Sequence, residues 1–442
     1  MSIHSFSSND TIKKLEKLLP ESIHNQSVPK DVLSIIDDYI PKLNDKNIHQ
    51  AVQDYLSEDQ NLKQQIIKNY GPISNWDVSN ITNMNKLFYN YRKFNEDISS
   101  WNVSNVTNMK YLFQRTPSFN QPLNNWNVSN SIDMYCMFKD AKIFNQPLNN
   151  WNVSNVTDMY CMFKSANAFN HPLDNWNVSS VKYMSHMFDG ALKFNQPLDN
   201  WNVSNVTDMT SMFERAYNFD QPLNNWNVSN VINISRMFAC QKYYDQPLNN
   251  WNVSKVTNMT CMFVYAKYFN QPLDNWNVSN VTNMDGMFST TKYFNQPLDN
   301  WNVSNVTNMN DMFSTTKYFN QPLNNWDVSN VRSMSSLFQK TKYFNQPLNN
   351  WNVSNVISMY SMFYKAKSFN QPLNNWNMSK VKCINYMFVS AKEFNQPLTL
   401  NNWNVSGECL LYLFVHGRCK SKDEETSDED DSSDEETSDE DD

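Results

Sequence analysis

The stretch WNVSNVTNMDGMFSTTKYFNQPLDN occupies residues 276–300 and returns with small changes along most of the chain. Its tryptophan marks the period, because thirteen of the fourteen tryptophans, from Trp76 to Trp376, follow one another at intervals of 25 residues. The last, Trp403, comes after 27 residues. A fixed period in the range of about 20–50 residues indicates a solenoid, in which each unit buries its apolar face only against its neighbours. The sequence therefore predicts one elongated body and favours a binding or scaffold protein over an enzyme.

The unit itself has two parts when its tryptophan is numbered position 1. Positions 9, 12, 13 and 16 are apolar, as in Met159, Met162, Phe163 and Ala166. This i, i+3, i+4, i+7 spacing is typical of one face of a helix, and proline at position 22 prevents a helix from continuing there. We interpret the following P-L-N-N-W-N-V as a short extended segment that stacks in parallel on its counterparts, with Leu, Trp and Val inside. The predicted fold class is a curved α/β repeat solenoid with one short helix and one short extended segment per unit.

Asparagine recurs at positions 5, 20, 24 and 25 of the unit. Its amide carries two donors and an acceptor, so stacked copies are expected to bond from unit to unit and to satisfy the backbone of the turns. The recurring N-V-S and N-V-T tripeptides match the N-glycosylation pattern. We interpret them as residues of the repeat structure as well.

The chain divides into four predicted regions. They are an N-terminal helical region (1–47), a cap of the solenoid (48–75), a solenoid of about 13–14 units by the repeat period (76–418), and a disordered acidic tail (419–442). Proline positions and apolar spacing predict helices over 11–19 and 29–41, and a third from Ile48 to Tyr70 that breaks near Ser57. An exposed solenoid end needs a cap, and this third helical segment is the expected one.

Charge is divided unevenly along the chain. The net charge of −8 includes 14 acidic residues in the last 20, from Asp423 to Asp442, which leaves a mildly basic body with a net charge of +6. Such acidic runs are usually solvated and disordered. Ser427 and Ser438 precede acidic residues and are candidate phosphorylation sites for an acid-directed kinase.

A lysine and a tyrosine recur at positions 17 and 18 of the later units, and same-position residues line up in a solenoid. The resulting Lys/Tyr stripe is the candidate interaction surface and consists of Lys242, Tyr243, Lys267, Tyr268, Lys292, Tyr293, Lys317, Tyr318, Lys342, Tyr343, Lys367 and Lys392. One interpretation is a solvated edge whose lysine stems cover apolar surface. The other is a strip that binds anions, although a body charge of only +6 makes nucleic acid an unexpected partner. The acidic tail is expected either to contact the stripe or to remain free and aid solubility.

Residues for catalysis or metal binding are not grouped in the sequence. The six histidines are scattered, and the seven cysteines form no C-x-x-C pair. Cys136 and Cys161 share position 11 of adjacent units, where a disulfide is conceivable but not required. We therefore expect no enzyme activity, no cofactor and no metal. The N-terminus has no apolar core of a signal peptide and no run reaches a membrane span, so an intracellular protein is expected.

The phrase W-[ND]-V-S-N-V-T-[ND]-M-x-x-M-F-x-x-A-x-x-F-N-Q-P-L resembles the repeats of BspA-like leucine-rich-repeat surface proteins, in the 25-residue form of mycoplasma surface lipoproteins. The segment from Ala51 to Ser79 is similar to that family's lead-in. The resemblance implies a leucine-rich-repeat-like solenoid with adhesion or protein-binding roles, and it supplies no catalytic residues. The bacterial members bear export signals. The lack of one here, with an Asn-, Lys- and Ile-rich composition, suggests a large DNA virus or a protist as the source.

The expected function is that of a non-enzymatic scaffold that binds another, unidentified protein. Two alternatives remain. Residues 28–41 faintly resemble the start of an F-box, which would make the protein an adaptor for ubiquitin ligation, testable by pull-down with the Skp-type linker protein. The second alternative is a surface adhesin, or a repeat protein that binds anions or nucleic acid.

Overall fold

Two short helices precede the repeats in the computed structural model, which describes residues 42–398 and 412–414. Helix α1 covers Ile48–Tyr55 and helix α2 covers Gln60–Tyr70. The helical segment predicted before the first unit, with its break near Ser57, is therefore confirmed. Asp59 accounts for the restart, because its carboxylate accepts hydrogen bonds from the N–H groups of the first turn of α2.

Several sequence-based predictions fall outside the described residues. These are the helices over 11–19 and 29–41, the F-box-like segment within residues 28–41, and the acidic tail. A short 3₁₀ turn, Ile73–Asn75, joins α2 to the first tryptophan of the repeats. From there the chain repeats the same coil unit after unit, so the body is a tandem repeat solenoid.

The helix predicted over positions 9–16 of the unit is wrong. In the described units these positions form consecutive turns. Among the residues that the structure describes, α1 and α2 are therefore the only α-helices. The Met162 N–H donates to the Met159 carbonyl at 3.1 Å, three residues back, but the Phe163 N–H donates to Met187 of the next unit at 2.9 Å. A helix keeps these bonds within itself. Here alternate N–H groups along the segment donate instead to carbonyls of the neighbouring coil.

Left-handed backbone at positions 11 and 15 makes this alternation possible. Cys161 and Ser165 have φ of 55° and 56°, and the same two positions have positive φ in every described unit. Only Gly190 and Gly286 among them are glycines. For other residues the left-handed region costs on the order of 1 kcal/mol. Most of the residues at these two positions are not glycine, so the sequence contains no signal of left-handed backbone there.

The predicted parallel stacking is present but at another place in the unit. The described units pair through isolated parallel bridges at position 8, as between Asn283 and Asn308, rather than through the P-L-N-N-W-N-V stretch. That stretch is joined to its neighbour by a side chain. The Trp226 Nε1–H donates to the Leu198 carbonyl at 2.9 Å, 28 residues earlier and one coil back. Each tryptophan from Trp101 to Trp376 repeats this bond at 2.8–3.1 Å.

The core is a set of continuous aromatic columns. Phenylalanines at position 13 stack on one another from unit to unit with ring centroids 5.4–6.0 Å apart. The repeat tryptophans from Trp76 to Trp376 are 2–3% exposed, which confirms that they are buried. The leucines of position 23 and the valines of position 3 are buried beside them. Every unit therefore adds the same apolar layer, as a nearest-neighbour solenoid requires.

Asparagine ladders hold the outer turns together, as the sequence predicted. At position 20 the Asn145 N–H donates to the Asn120 side-chain oxygen at 2.8 Å. At position 5 the Asn155 amide donates to the Ser129 carbonyl of the preceding unit at 2.7 Å. Each such bond satisfies a turn group that regular secondary structure would otherwise satisfy.

The first unit has no preceding coil, and Asp45 replaces the missing carbonyl. Its carboxylate accepts from the Thr82 N–H at 2.9 Å, the Thr82 hydroxyl at 2.6 Å and the Asn83 N–H at 3.1 Å. In the second unit the equivalent Thr107 N–H donates to the Thr82 carbonyl. Burial alone would raise the pKa of Asp45, but the bonds from Thr82 and Asn83 outweigh it and hold the pKa below the usual 3.8.

Replacing Asp45 with Ala is expected to lower the free energy of unfolding by about 1–2 kcal/mol, in the range of a lost helix cap. Because its folded pKa is lowered, the stabilisation is present above pH 3.8 and is lost as pH falls through the folded value. Hydrogen exchange at Thr82 and Asn83 measures the effect, and Lys46→Ala at the exposed next residue is the control. Equal protection of the first unit in both variants would show that the carboxylate does not cap it.

Candidate functional site

The Lys/Tyr stripe lies in a turn between two buried positions of the unit, 16 and 19. Its alignment is set by backbone bonds. The Tyr268 N–H donates to the Lys242 carbonyl of the preceding unit at 3.2 Å, and Tyr293 donates to Lys267 in the same way at 3.3 Å. The lysines and tyrosines of successive units therefore lie in register along the solenoid, as predicted.

The tyrosine rings form a column on the surface. The centroids of Tyr243 and Tyr268 are 5.6 Å apart, and the next three spacings, through to Tyr343, are 5.2, 5.3 and 5.3 Å. Neighbouring rings are within 9–16° of parallel. The two ends of the column, Tyr243 and Tyr343, are 52% and 40% exposed, so the outer faces at the ends are open to solvent.

In each of the five lysine–tyrosine pairs, the lysine ammonium group lies over the tyrosine ring of its own unit. The Nζ atoms are 4.6–5.5 Å from the ring centroids, from Lys242 over Tyr243 to Lys342 over Tyr343. At this distance the ring quadrupole attracts the ammonium group, by roughly 0.5–1 kcal/mol at an exposed site. The side chains are thereby held in one row. Lys367 and Lys392 continue the row but are followed by Ser368 and Glu393, so the tyrosine column ends before them.

A shallow groove of about 430 Å³ runs beside the lysines. One wall is formed by Lys242, Lys267, Lys292 and Lys317 of the stripe. The other wall, at position 15, consists of Cys240, Tyr265, Thr290 and Thr315. The sequence did not predict this second wall, because its residue types vary and the left-handed backbone that places them there had no glycine signal. The lining residues include four lysines and no carboxylate, and the exposed lining is almost entirely apolar. The lysine stems therefore line the groove, and an anion would meet the ammonium groups at their ends rather than the groove itself.

A row of charged groups at positions 11 and 14, in which the carboxylates are buried and their cationic partners are partly exposed, was also missed. The Asp189 carboxylate lies 2.6 Å from the Lys164 Nζ and 2.9 Å from the His186 Nδ1, and Glu214 binds the Arg236 guanidinium through two bonds of 2.6 and 3.0 Å. Burial would raise the pKa of both carboxyl groups, but these partners outweigh it and lower the pKa in each case. The cross-unit partners are 22 or 25 residues apart, so stacking of the units, not the local sequence, brings them together.

Two kinds of feature are absent from residues 42–398 and 412–414. No three His, Cys, Asp or Glu side chains of that part of the chain are grouped so that they hold a metal ion. Of the helices in the same residues, none has the length and apolar character that a membrane span requires. The candidate phosphorylation sites Ser427 and Ser438 lie outside the described residues.

Comparison with known proteins agrees with the repeat geometry. The chain matches the family described as "Mycoplasma protein of unknown function, DUF285" in four overlapping segments, residues 59–175, 144–250, 239–341 and 319–409. The chain belongs to this family. The predicted relation to a mycoplasma repeat family is therefore confirmed at that level.

The remaining comparisons add little to the family assignment. Comparison with curated proteins gave no match. Among solved structures, an LRR protein of Leptospira interrogans is similar over 79% of this chain and 95% of its own, at 8% identity. Its TM-score is 0.18, which is too low to establish a common fold. For this member of the family, the surface geometry of the units is therefore the basis for any functional proposal.

Proposed function

We propose that the protein is a non-enzymatic repeat scaffold that binds a partner protein through an acidic, extended segment lying along the Lys/Tyr stripe. The observation that carries this proposal is the row of five lysine–tyrosine pairs beside a groove free of carboxylates. The likeness of the repeat phrase to leucine-rich-repeat-like surface proteins is in keeping with a binding role.

The row has a length that suits a short peptide. Five successive units with spacings of 5.2–5.6 Å are spanned by roughly seven residues of an extended chain, which advances about 3.3 Å per residue. Carboxylates on one side of such a segment meet the ammonium groups, and its backbone lies in the groove. The lysines are already held over the tyrosine rings, so binding orders fewer side chains than an isolated lysine cluster would require.

The tyrosine column favours a protein partner over single-stranded nucleic acid. Proteins that bind single strands offer open aromatic faces on which bases stack. Here each inner ring, from Tyr268 to Tyr318, has a nearly parallel tyrosine ring on both sides, with centroids 5.2–5.6 Å apart. A base has no room between rings at that spacing, whereas a carboxylate needs only the lysine ammonium groups above them.

Reversing three charges of the stripe is expected to weaken binding of an acidic peptide by about tenfold or more, since like charges across an interface are strongly unfavourable. The variant is Lys267→Glu/Lys292→Glu/Lys317→Glu in the full chain. The probe is a fluorescent peptide of alternating Glu and Ala, and anisotropy gives its dissociation constant at low and high salt. Binding to the unaltered protein should weaken as salt is raised, because the Debye length falls below about 10 Å above 0.1 M.

The chain offers a matched control for net charge. Lys182, Lys255 and Lys382 are exposed at positions 5 and 7 of their units, away from the stripe. Changing all three to Glu gives the same change of total charge and should leave binding nearly unaltered. Equal losses in the two triple variants would overturn the proposal, because they would show that net charge and not the stripe attracts the peptide. Tight binding of single-stranded DNA by the unaltered protein would favour a nucleic-acid partner instead.

A further inference from the structure

Two cysteines of adjacent units occupy the same position of the coil. Cys136 and Cys161 are both at position 11, and each is 2% exposed. Both are free thiols and both have left-handed backbone, with φ of 54° and 55°. Their side chains therefore project in the same direction from equivalent backbone positions, one unit apart.

Backbone bonds on both sides of the pair hold the two units in register. The Cys136 N–H donates to the Tyr160 carbonyl at 2.8 Å, and the Phe138 N–H donates to the Met162 carbonyl at 2.9 Å. The rings of Tyr135 and Tyr160, next to the cysteines, stack with centroids 4.7 Å apart. Adjacent chains bonded in this way lie about 4.8 Å apart. That spacing is within the range of Cα separations, about 4.4–6.8 Å, that a disulfide can bridge.

The surroundings of the pair activate one of the two thiols. Interaction with the Cys136 thiol lowers the pKa of Cys161, although burial opposes this, and the charges of His186 and Lys164 add to the lowering. The same interaction and burial raise the pKa of Cys136. Asp189 binds both His186 and Lys164 and so holds them beside the pair. A thiolate next to a protonated thiol is the arrangement of an attacking and a resolving cysteine.

We propose that Cys136 and Cys161 form an oxidisable dithiol, which a peroxide converts to a disulfide between two units. The Cys161 thiolate attacks one oxygen of the peroxide; the O–O bond breaks, and the leaving hydroxide takes up a proton as water. Cys161 is then a sulfenic acid. The Cys136 sulfur attacks the Cys161 sulfur, the S–S bond forms and the S–O bond breaks, and the second hydroxide leaves with the Cys136 proton as water. Two thiols lose two electrons and one peroxide becomes two waters.

The burial of the pair defines the size of the oxidant. With 2% of each cysteine exposed, we expect a small oxidant such as hydrogen peroxide to react with the sulfur atoms, and glutathione disulfide to be too large to bring its own sulfurs into line for exchange. The bridge would close a segment of the chain that is one unit long and would tie the third unit to the fourth. This site is independent of the Lys/Tyr stripe, which begins at Lys242.

The experiment uses the full chain with the other five cysteines, Cys240, Cys261, Cys383, Cys409 and Cys419, changed to Ser. The folded protein is treated with hydrogen peroxide near pH 7, and thiols are then counted after denaturation while mass spectrometry locates any linked peptide. Both thiols should disappear together, one intramolecular Cys136–Cys161 link should form, and dithiothreitol should restore both. Retention of two free thiols in the folded chain, or links between different chains, would overturn the proposal.

Single-cysteine variants test the two roles. With Cys136→Ser, the Cys161 sulfenic acid should persist in the folded chain and be trapped by dimedone when the chain is then denatured in its presence. With Cys161→Ser, the remaining thiol should react at least about tenfold more slowly. A chain that keeps only Cys261 is the matched control, because this residue has the same position 11 but its pKa is raised by burial. Equal peroxide reactivity of Cys261 and Cys161 would show that the pairing has no effect and would also overturn the proposal.

Discussion

Replacing Phe213 with Ala is expected to lower the free energy of unfolding by about 3–5 kcal/mol, the range measured for removal of large aromatic side chains from protein cores. Phe213 is fully buried in the sixth unit. The centroid of its ring is 4.1 Å from that of Phe219 in the same unit. It is 5.7 and 6.0 Å from the ring centroids of Phe188 and Phe238 in the units on either side. Truncation leaves a cavity in the middle of a continuous column, and the neighbouring rings are too well packed to fill it.

The loss from Phe213→Ala should also be local. Each unit contacts only its neighbours, so the coupling between units is a nearest-neighbour term. Native-state hydrogen exchange should rise in the sixth unit and its two neighbours and remain unchanged near Trp76 and Trp376. Chemical denaturation gives the total effect, and Tyr217→Ala in the same unit, at a side chain that is 48% exposed, is the control. A rise in exchange spread evenly over all units would contradict the nearest-neighbour description.

The sequence alone predicted the solenoid and its core because both depend on the period. A 25-residue repeat places equivalent side chains one above another whatever the local backbone does. The buried tryptophans and the asparagine ladders follow from that placement. The same reasoning predicted the Lys/Tyr stripe, since Lys267 and Lys292 line up for the same reason as Trp276 and Trp301.

The local backbone could not be derived in the same way. The spacing of Met159, Met162 and Phe163 fits one face of a helix, and it fits equally a coil whose turns point these residues inward. The difference lies in where the N–H groups find acceptors, and in a solenoid the next unit competes with the helix for them. No glycine pattern marked the left-handed positions, because residues such as Thr290 and Thr315 adopt them with φ of 63° and 61°.

The ion pairs between units could not be predicted from the sequence, for a different reason. Ion partners such as Glu214 and Arg236 are separated by 22 residues and belong to different positions of the unit. Their pairing depends on how position 14 of one unit meets position 11 of the next. That offset is a property of the turn backbone, in a segment where the sequence predicts a helix. The Lys/Tyr stripe was found because it needs only equal positions, not the offset.

Arg236→Met is expected to cost about 3 kcal/mol near neutral pH, because it leaves a buried carboxylate without its main partner. Glu214 is 5% exposed, and Arg236 supplies two bonds of 2.6 and 3.0 Å. Arg215, at 3.7 Å, is more exposed and compensates only in part. Chemical denaturation of the variant and the unaltered protein at several pH values measures the difference in the free energy of unfolding.

The pH dependence of this loss distinguishes a stranded charge from lost packing. In the unaltered protein the pKa of Glu214 is lowered below its usual 4.5, so the pair stabilises above that pH and the contribution is lost as pH falls through the folded value. In Arg236→Met burial remains without the guanidinium, and the pKa of Glu214 should rise above 4.5. The destabilisation of the variant is then absent below pH 4.5, where Glu214 is protonated in both the folded and the unfolded state. It develops as pH rises through the raised pKa.

The double variant Glu214→Gln/Arg236→Met completes the test. It removes both charges while keeping side chains of similar volume. Replacement of a buried pair in this way is often nearly neutral, and here only the carboxylate is buried, because the Arg236 side chain is 41% exposed. We therefore expect the double variant to be more stable than Arg236→Met near pH 7, and its stability relative to the unaltered protein to be nearly independent of pH between about 5 and 8. If the double variant were as unstable as the single one, the guanidinium would matter through its packing against the coil, and the buried charge of Glu214 would not be the cause.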